Sequence, residues 1–384
     1  MRILYISSDL IVHDYRFLKK LCEFDHDVYL VTHFAGKDLP QDISGLRGLK
    51  IIRYNPNAVL LGTEKYSIFT RKIRCWLAFM QSYIKFKREL KKIKPDIVHA
   101  GWVQGDGFLA AVSDFHPFLL MPWGSDILVF PEKSKRTMSK TKYVLSKADM
   151  ITCDCEIVKK KIIEFSNYDS EKIIVFPWGI DLDLFKPNKK NNLIRKALGW
   201  EDKKILLMTR SFFPIYAVDD FIKAIPKIIK AYPNTRIILV GDGPLRSELE
   251  QLTVNLGIRD YVYFAESIPN DKMPEYFNSA DIYLSCSLSD GTSLSLLEAM
   301  ACSLPVVTTD IPSYLEWIND GENGYIVPTR SPNDISAKVI NLLSNHNLRI
   351  KMGHRNFLIA QERANWDINY RKLELIYGKL QKNK

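Results

Sequence analysis

Short runs of apolar residues recur along the chain, and each is followed by a polar loop and a stretch with helical spacing. These runs predict strands at Arg2–Ser7 and Asp27–Thr32 in the first half, and at Lys204–Thr209 and Ile237–Val240 in the second. Regular alternation of strands and helices is typical of parallel sheets, which bind ligands at the carboxyl ends of their strands. The pattern therefore predicts an α/β fold.

A polar segment near the middle of the chain divides this pattern into two parts. Lys186–Asn192 reads KPNKKNN and has the composition of a linker. The 384 residues are enough for two domains, each able to bury a core of its own. We predict a first domain over 1–185, a second over 186–365 and a terminal helical segment over 366–384.

The most informative stretch is Ser285–Asp310, which reads SCSLSDGTSLSLLEAMACSLPVVTTD. It predicts a strand, a Ser/Gly loop, a helix over Leu294–Cys302 and a second, β-branched strand. A helix start presents unpaired N–H groups and partial positive charge, which suits a phosphate. Asp290 precedes that start. Glu298 follows two turns along, within reach of a sugar hydroxyl beside the phosphates.

A second interpretation of the same helix stays open. Ser295 and Glu298 have the spacing of a capping box, in which the glutamate only satisfies the backbone of its own helix. A Gly-Thr-Ser loop by itself is found in many βα turns. The local pattern therefore indicates a phosphate or nucleotide site without establishing one.

Composition places the chain among ordinary globular proteins, with 46% apolar and 26% charged residues. The apolar runs fall short of the roughly 20 residues that a membrane-spanning helix needs. The chain begins directly with a strand and shows no signal-peptide pattern, so we expect a cytoplasmic protein. Its six cysteines include no Cys-x-x-Cys pair and are expected to be reduced and structural.

The formal charge of +10 is concentrated in one segment. Between Lys65 and Lys94 ten Lys and Arg residues stand against one acid, Glu89, with apolar residues interleaved at helical spacing. A basic amphipathic helix can lie on an anionic membrane, which would place the protein on the inner face of the membrane. It can equally be a core helix with a solvated basic face. We expect no nucleic-acid partner, because no recognised module is present.

Asp290 is followed by seven residues and then by Glu298-Ala-Met-Ala, and Pro305-Val-Val and Asp310-Ile-Pro come next. This pattern resembles the retaining glycosyltransferases of family 4. The resemblance implies the GT-B fold, in which two Rossmann-like parallel-sheet domains face each other across a cleft. It also implies that the terminal helix folds back toward the first domain.

The implied reaction moves a sugar from a nucleotide-diphosphate sugar to the hydroxyl of a glycan or lipid-linked glycan acceptor. It retains the anomeric configuration and needs neither a metal nor a further cofactor. Two other classes stay open: a nucleotide-sugar 2-epimerase-like isomerase, and a non-catalytic nucleotide-sugar-binding protein. The spacing Asp181-x-Asp183 also matches a metal-binding pair of another glycosyltransferase fold, but it lies at a Pro/Gly-rich boundary.

By the same resemblance Arg210 would clamp the diphosphate, Asp290 would contact the transferred sugar and Glu298 would hold the ribose. The remaining residues expected to bind the donor are Gly291, Thr292, Ser293, Leu294, Tyr216, Gly241, Gly243 and Ser267. Tyr216 would offer a hydroxyl where relatives carry a lysine.

The missing lysine near Arg210 is the largest departure from the family pattern, and others fall in both domains. Trp123 stands where many relatives have a histidine, and its indole is expected to pack on a sugar ring while Asp126 accepts sugar hydroxyls near the catalytic centre. His99 and His13 are the remaining candidates to approach acceptor or sugar. Asp290 itself replaces the glutamate of many members and reaches one methylene less far.

Overall fold

The computed structural model describes residues 1–8, 10, 12–32, 41–53, 68–188 and 193–382. Within these ranges the side chains of 12, 13, 41, 42, 68–72, 74–76 and 78 are not described. The chain forms two compact units. The first comprises Met1–Phe176 with Tyr370–Lys384, and the second comprises Pro177–Asn369.

The first unit is built on a seven-stranded sheet in which every described pairing is parallel. Its strands are β1 (Arg2–Ile6), β2 (Asp27–Thr32), β3 (Lys50–Arg53), β4 (Ile97–Ala100), β5 (Phe118–Leu120), β6 (Met150–Cys153) and β7 (Ile173–Val175). They lie in the order β3-β2-β1-β4-β5-β6-β7. The central strands are buried along their whole length, as expected when helices cover both faces of a parallel sheet.

The helices of this unit connect successive strands. They are α1 (Val12–Glu23), α2 (Gln41–Ser44), α3 (Ile68–Ile93), α4 (Asp106–Ser113), α5 (Ser125–Leu128), α6 (Lys135–Lys147) and α7 (Glu156–Ser166). Helix α3 lies within the basic segment predicted to be helical, and residues 65–67 of that segment are outside the described part. Phe86, Leu90 and Ile93 of α3 are buried in the core of the unit.

The second unit has a six-stranded sheet, again with every described pairing parallel. Its strands are β8 (Lys204–Thr209), β9 (Thr235–Val240), β10 (Val262–Ala265), β11 (Ile282–Ser285), β12 (Val306–Thr309) and β13 (Gly324–Val327). The order is β10-β9-β8-β11-β12-β13. Strands β8 and β11 are neighbours, although they are not consecutive in sequence. The loops that follow them therefore meet at one edge of the sheet.

The remaining helices surround the second sheet or follow it. They are α8 (Leu193–Leu198), α9 (Val218–Ala231), α10 (Arg246–Asn255), α11 (Met273–Ser279), α12 (Leu294–Ala301), α13 (Pro312–Leu315), α14 (Pro332–Ser344), α15 (His346–Arg363) and α16 (Trp366–Lys382). The predicted α/β fold with two parallel sheets is confirmed. No helix among the described residues is long and apolar enough to cross a membrane.

Both predicted domain junctions differ from those of the structure. The first unit ends at Phe176 rather than at 185, because Ile180 and Phe185 pack in the core of the second unit. The terminal helix begins within the second unit, and the chain returns to the first unit at Tyr370. Beyond that point Tyr377 is fully buried beside His99 of β4.

Candidate active site

Arg210 directly follows β8, and its guanidinium reaches the loop that follows β11. Nη2 donates to Asp290 Oδ2 at 2.6 Å, and Nη1 donates to the hydroxyls of Ser293 at 2.8 Å and Ser295 at 3.3 Å. The side chain of Arg210 is only 10% exposed. Its buried Nε has no hydrogen-bond partner in the described part of the chain. The guanidinium is therefore fixed beside the helix start by three side chains, and its Nε is covered.

Asp290 is held by side chains from two directions. Besides Arg210, the hydroxyl of Tyr314 lies 3.2 Å from Oδ2. Burial raises the pKa of Asp290, while Arg210, Tyr314 and the Gly291 N–H oppose that rise. For Arg210 burial works against the charged form, but Asp290 together with Tyr314, Tyr216 and Tyr283 outweighs burial, and the pKa of Arg210 is raised. The guanidinium therefore stays charged.

Tyr216 contacts Arg210 through the face of its ring. It closes the short 3₁₀ turn Pro214–Tyr216, and the guanidinium carbon lies 4.0 Å from the ring centroid. Such a cation–π contact orients a cation without neutralising it. Tyr216 was predicted to offer a hydroxyl in place of a lysine. In the structure, its ring packs on the guanidinium of Arg210 and orients it.

Helix α12 begins at Leu294, and Ser293 is its N-cap. The Ser293 hydroxyl accepts the N–H of Leu296, so the helix start is fixed by Ser293 and not by Ser295. The capping-box interpretation of Ser295 and Glu298 is therefore wrong. The Ser295 hydroxyl instead receives hydrogen bonds from Arg210 and from Tyr283.

The other predicted donor-binding residues of this stretch lie around the same helix start. Gly291, Thr292 and Ser293 are buried, Leu294 is half-buried, and Glu298 is buried on the second turn. The N–H groups of the first turn and the Arg210 guanidinium thus belong to one edge of the sheet. This combination of a fixed cation and helix-start donors is suited to an anion.

Two glycines let the loop after β9 approach Arg210. Gly241 has φ +152°, and a Cβ there would lie 2.3 Å from the Arg210 carbonyl oxygen. Gly243 has φ +154°, and its Cβ would lie 2.7 Å from the Phe212 carbonyl oxygen. No side chain fits at either position. Both predicted glycines therefore contribute by permitting a close backbone approach.

Ser267 lies in the exposed loop that follows β10. No described contact joins it to the cluster around Arg210. The structure therefore brings together most of the residues predicted from the second domain, but leaves Ser267 at the solvent surface.

The predicted residues of the first unit have mainly structural contacts. Asp126 is fully buried, and its two oxygens accept the N–H groups of Val103 and Trp123, each at 2.9 Å. Burial raises its pKa to about 7. Because both oxygens hold the backbone of neighbouring loops, this geometry favours a structural role over the predicted one in catalysis.

His99 is also fully buried, with Nδ1 2.6 Å from the hydroxyl of Tyr377. Burial lowers the pKa of His99 to about 3, so its imidazole is neutral. A completely covered ring cannot touch a sugar, so the prediction for His99 is not supported by this geometry. The side chain of His13 lies outside the described residues.

Trp123 is half-buried on the loop before α5. A Cβ at Gly101 would lie 2.1 Å from Trp123 Nε1, so the indole lies directly against the Gly101 backbone. Phe17 approaches the indole edge-to-face at 6.4 Å between ring centroids. The partly exposed indole remains compatible with the predicted contact to a sugar.

The Asp181-x-Asp183 pair forms a turn. Asp181 Oδ1 accepts the N–H groups of Asp183 at 2.9 Å and Leu184 at 3.1 Å, so that oxygen faces its own backbone. In the described part of the chain, no three His, Cys, Asp or Glu side chains are grouped so as to hold a metal ion.

Several hydroxyls around the site were not predicted. Tyr283 donates to Ser295, and Tyr314 contacts Ser285, Ser287 and Asp290. The alternation Ser285-x-Ser287 at the end of a predicted strand was the available signal, because residues two apart face the same side of a strand. Tyr314 had no comparable signal.

Two family models cover most of the chain. The model "Glycosyl transferases group 1" matches residues 190–357, and the model "Glycosyl transferase 4-like" matches residues 2–155. The first includes Arg210, Asp290 and Glu298, and the two matches fall in different units. The chain belongs to the group 1 glycosyl transferases.

Individual relatives are distant. An uncharacterized glycosyltransferase of Methanocaldococcus jannaschii is 24% identical, and the alignment covers 94% of this chain and 92% of the relative. A D-inositol 3-phosphate glycosyltransferase of Geodermatophilus obscurus is 27% identical, over 57% of this chain. The alignment spans only 50% of that relative's length.

Solved structures of the same fold align over nearly the entire chain. Sucrose-phosphate synthase from Thermosynechococcus elongatus has a TM-score of 0.83 at 17% identity, with complete coverage of both chains. Anabaena HepE, solved with UDP and glucose, has a TM-score of 0.80 at 16% identity, with coverage of 98% and 100%. At this identity the likeness concerns the fold alone. Together with the two parallel sheets, it confirms the predicted GT-B class.

Proposed function

We propose that this protein transfers a sugar from a nucleotide-diphosphate sugar to an acceptor hydroxyl, with retention of anomeric configuration. The observation that carries the proposal is the guanidinium of Arg210, which Asp290, Ser293 and Ser295 hold beside the start of α12. A departing diphosphate gains negative charge, and a fixed cation with helix-start donors stabilises that charge. The family to which the chain belongs supports the same reaction.

Each group of the cluster has a defined part in this proposal. Arg210 and the N–H groups of Thr292–Leu294 bind the diphosphate, and Glu298 holds the ribose. Asp290 contacts the transferred sugar, and Tyr216 keeps the guanidinium in place from its other side. Because Arg210 and the N–H groups supply the positive charge, we propose that transfer needs no metal. Activity should then survive treatment with EDTA.

The nucleotide is the least constrained part of the donor. HepE was solved with UDP and with UDP-glucose, which makes a uridine diphosphate sugar the first donor to test. A relative from Mycolicibacterium smegmatis is described as GDP-mannose-dependent, and it is 27% identical over 53% of this chain. A panel must therefore include both nucleotides.

For the acceptor we propose a saccharide or a lipid-linked saccharide at a membrane surface. Among the side chains of helix α3 that the structure describes, three large apolar ones are exposed: Ile73, Leu77 and Ile84. At 100° per residue, these and the exposed Arg88 and Lys91 fall within about 60° of one another around the helix. An apolar stripe with basic residues at one end is suited to an anionic lipid surface.

The proposal is tested with a panel of UDP- and GDP-sugars, read out by release of the nucleoside diphosphate with and without saccharide acceptors. Acceptor-dependent release, with an α-linked product from an α-linked donor by NMR, is the expected result. Formation of an epimer from the donor alone would indicate an isomerase instead. Donor binding without turnover on any acceptor would indicate a binding protein.

Two variants test the assignment of the donor-binding site. Glu298→Ala should weaken donor binding, and Arg210→Ala should lower turnover more than affinity. If calorimetry and kinetics show both variants unchanged, the donor site lies elsewhere in the protein.

A further inference from the structure

Tyr314 lies against Asp290 on the side away from solvent. It belongs to the short helix α13 and is fully buried. Its hydroxyl is 3.2 Å from Asp290 Oδ2, 2.7 Å from the Ser285 hydroxyl and 2.9 Å from the Ser287 hydroxyl. The side chain therefore connects the end of β11 with the carboxylate.

The number of protons on these groups limits the directions that the hydrogen bonds can take. A phenol has one proton to donate, whereas an ionised carboxylate only accepts. Tyr314 is placed to donate this proton to the Ser287 hydroxyl at 2.9 Å and to Asp290 Oδ2 at 3.2 Å, so the two acceptors share it. The Ser285 hydroxyl can donate to the phenol oxygen. Ser285 and Ser287 are fully buried, and Thr309 donates to the Ser287 carbonyl at 2.6 Å. The hydroxyl of Tyr314 is therefore held among buried residues.

We propose that Tyr314 is a positioning residue that fixes the carboxylate of Asp290 for contact with the transferred sugar. This rests on the proposed function of Asp290. An aspartate reaches one methylene less far than the glutamate expected from the family pattern, so its orientation needs support from behind. Tyr314 gives that support, while Arg210 holds the same oxygen from the other side.

The charged state of Asp290 depends on the same contacts. The groups that face it are Arg210, Tyr314 and the Gly291 N–H, and Tyr283 and Tyr216 surround Arg210. Burial raises the pKa of Asp290, and the donated hydrogen bond from Tyr314 works against that rise. Loss of the hydroxyl removes a donor to the ionised form. The pKa of Asp290 in a Tyr314→Phe variant should therefore move further up.

Tyr314→Phe tests the proposal, with Tyr325→Phe as the matched control. The Tyr325→Phe substitution also removes a hydroxyl in the same unit, but the hydroxyl of Tyr325 donates to Asn341. For Tyr314→Phe we expect kcat to fall about tenfold to a hundredfold, the usual effect of losing a hydrogen bond to a charged group. We expect UDP affinity to stay within about twofold, because no phosphate contact is removed. The acid limb of the kcat profile should move to higher pH.

A rescue experiment distinguishes a positioning role of Tyr314 from a merely structural one. Asp290→Glu adds the missing methylene, and in the Tyr314→Phe background it should restore most of the lost turnover. The proposal is overturned if Tyr314→Phe matches Tyr325→Phe in kcat and pH profile. It is also overturned if activity falls but Asp290→Glu restores none of it. If Asp290→Asn itself leaves turnover unchanged, the failure belongs to the proposed function of Asp290 instead.

Discussion

Arg210 and Asp290 form an ion pair across two neighbouring strands, with 2.6 Å between Nη2 and Oδ2. Their side chains are only 10% and 18% exposed. Removing one partner of such a pair leaves an uncompensated charge in a poorly solvated place. The pair therefore holds the guanidinium at the helix start before any ligand is bound.

Arg210→Lys keeps the positive charge but removes the fork that joins Asp290, Ser293 and Ser295. A lysine is a single flexible cation and cannot hold three partners in one plane. We expect kcat/KM to fall by about 10²–10³-fold, as for other groups that stabilise developing charge. Steady-state kinetics with the donor found in the panel measures this loss.

Arg355→Lys is a suitable control, because that arginine of α15 also pairs with a carboxylate, Glu322, and both side chains are exposed. It should leave turnover within about twofold, as surface ion pairs contribute little. Equal effects of the two substitutions would contradict a special role for Arg210.

Gly241→Ala should disturb both stability and activity. The new methyl group would lie 2.3 Å from the Arg210 carbonyl oxygen, so the backbone that carries the guanidinium has to move. We expect a loss of about 1–3 kcal/mol in the free energy of unfolding and a tenfold or larger fall in kcat. Chemical denaturation and kinetics measure the two effects.

Gly257→Ala is the matched control, since Gly257 also has a positive φ, +66°, but nothing within 4 Å of its Cβ position. It should cost about 1 kcal/mol from backbone strain alone and leave activity intact. An activity loss of the same size in Gly257→Ala would show that general destabilisation explains the result for Gly241→Ala.

The contacts of the site were predictable where they follow from the common direction of parallel strands. Arg210 and Asp290 each follow a predicted strand of the second domain, and the carboxyl ends of parallel strands meet at one edge. That reasoning placed both residues at one site. It could not order the strands, so the direct 2.6 Å contact was not foreseen.

Other features depended on packing between distant residues. His99 is covered by Tyr377, 278 positions further along, and this covering makes its imidazole structural. Tyr314 reaches Asp290 because α13 folds under the loop after β11, and no local pattern encodes that approach. The helix start at Leu294 was predicted, but the sequence alone could not decide between a cap at Ser293 and a capping box at Ser295 and Glu298.

The buried His99 should make the first unit sensitive to acid. Its pKa is about 3 in the folded protein against 6.5 in the unfolded chain, so only the unfolded chain takes up the proton between these values. Stability from this group is present above pH 6.5 and is lost as the pH falls, at about 1.4 kcal/mol per pH unit. The contribution of Asp126 to stability changes with pH in the opposite direction. Its raised pKa of about 7 lets the folded form bind a proton at a higher pH than the unfolded chain does, so this contribution grows as the pH falls.

His99→Gln removes the loss of stability that His99 causes at low pH and leaves the contribution of Asp126 unchanged. Relative to the wild type, its free energy of unfolding should therefore rise as the pH is lowered from 7 to 5. Urea unfolding followed by tryptophan fluorescence measures the slope. His354→Gln, an exposed position on α15, serves as the control and should follow the wild type. Parallel pH dependences of wild type and His99→Gln would show that His99 is not buried in the neutral form.

The exposed stripe of α3 should bind anionic vesicles. Leu77→Ser with Ile84→Ser removes apolar area, and Arg88→Gln with Lys91→Gln removes two charges, each worth about 1 kcal/mol near an anionic surface. Lys85 and Lys87 are unsuitable targets, because they donate to the carbonyls of Arg53 and Ser113. Each double variant should reduce cosedimentation with phosphatidylglycerol vesicles about tenfold or more. Binding should also weaken at high salt.

Lys227→Gln with Lys230→Gln makes the same change in net charge on α9 of the other unit, where both lysines are exposed. If attraction is local to α3, this control should sediment like the wild type, and none of the proteins should sediment with neutral phosphatidylcholine vesicles. Equal losses of cosedimentation in the α3 and α9 variants would show that the overall net charge, and not the α3 stripe, causes the binding. Unchanged binding in both α3 variants would leave the stripe as an ordinary solvent-exposed helix face and would remove the support for a membrane-bound acceptor.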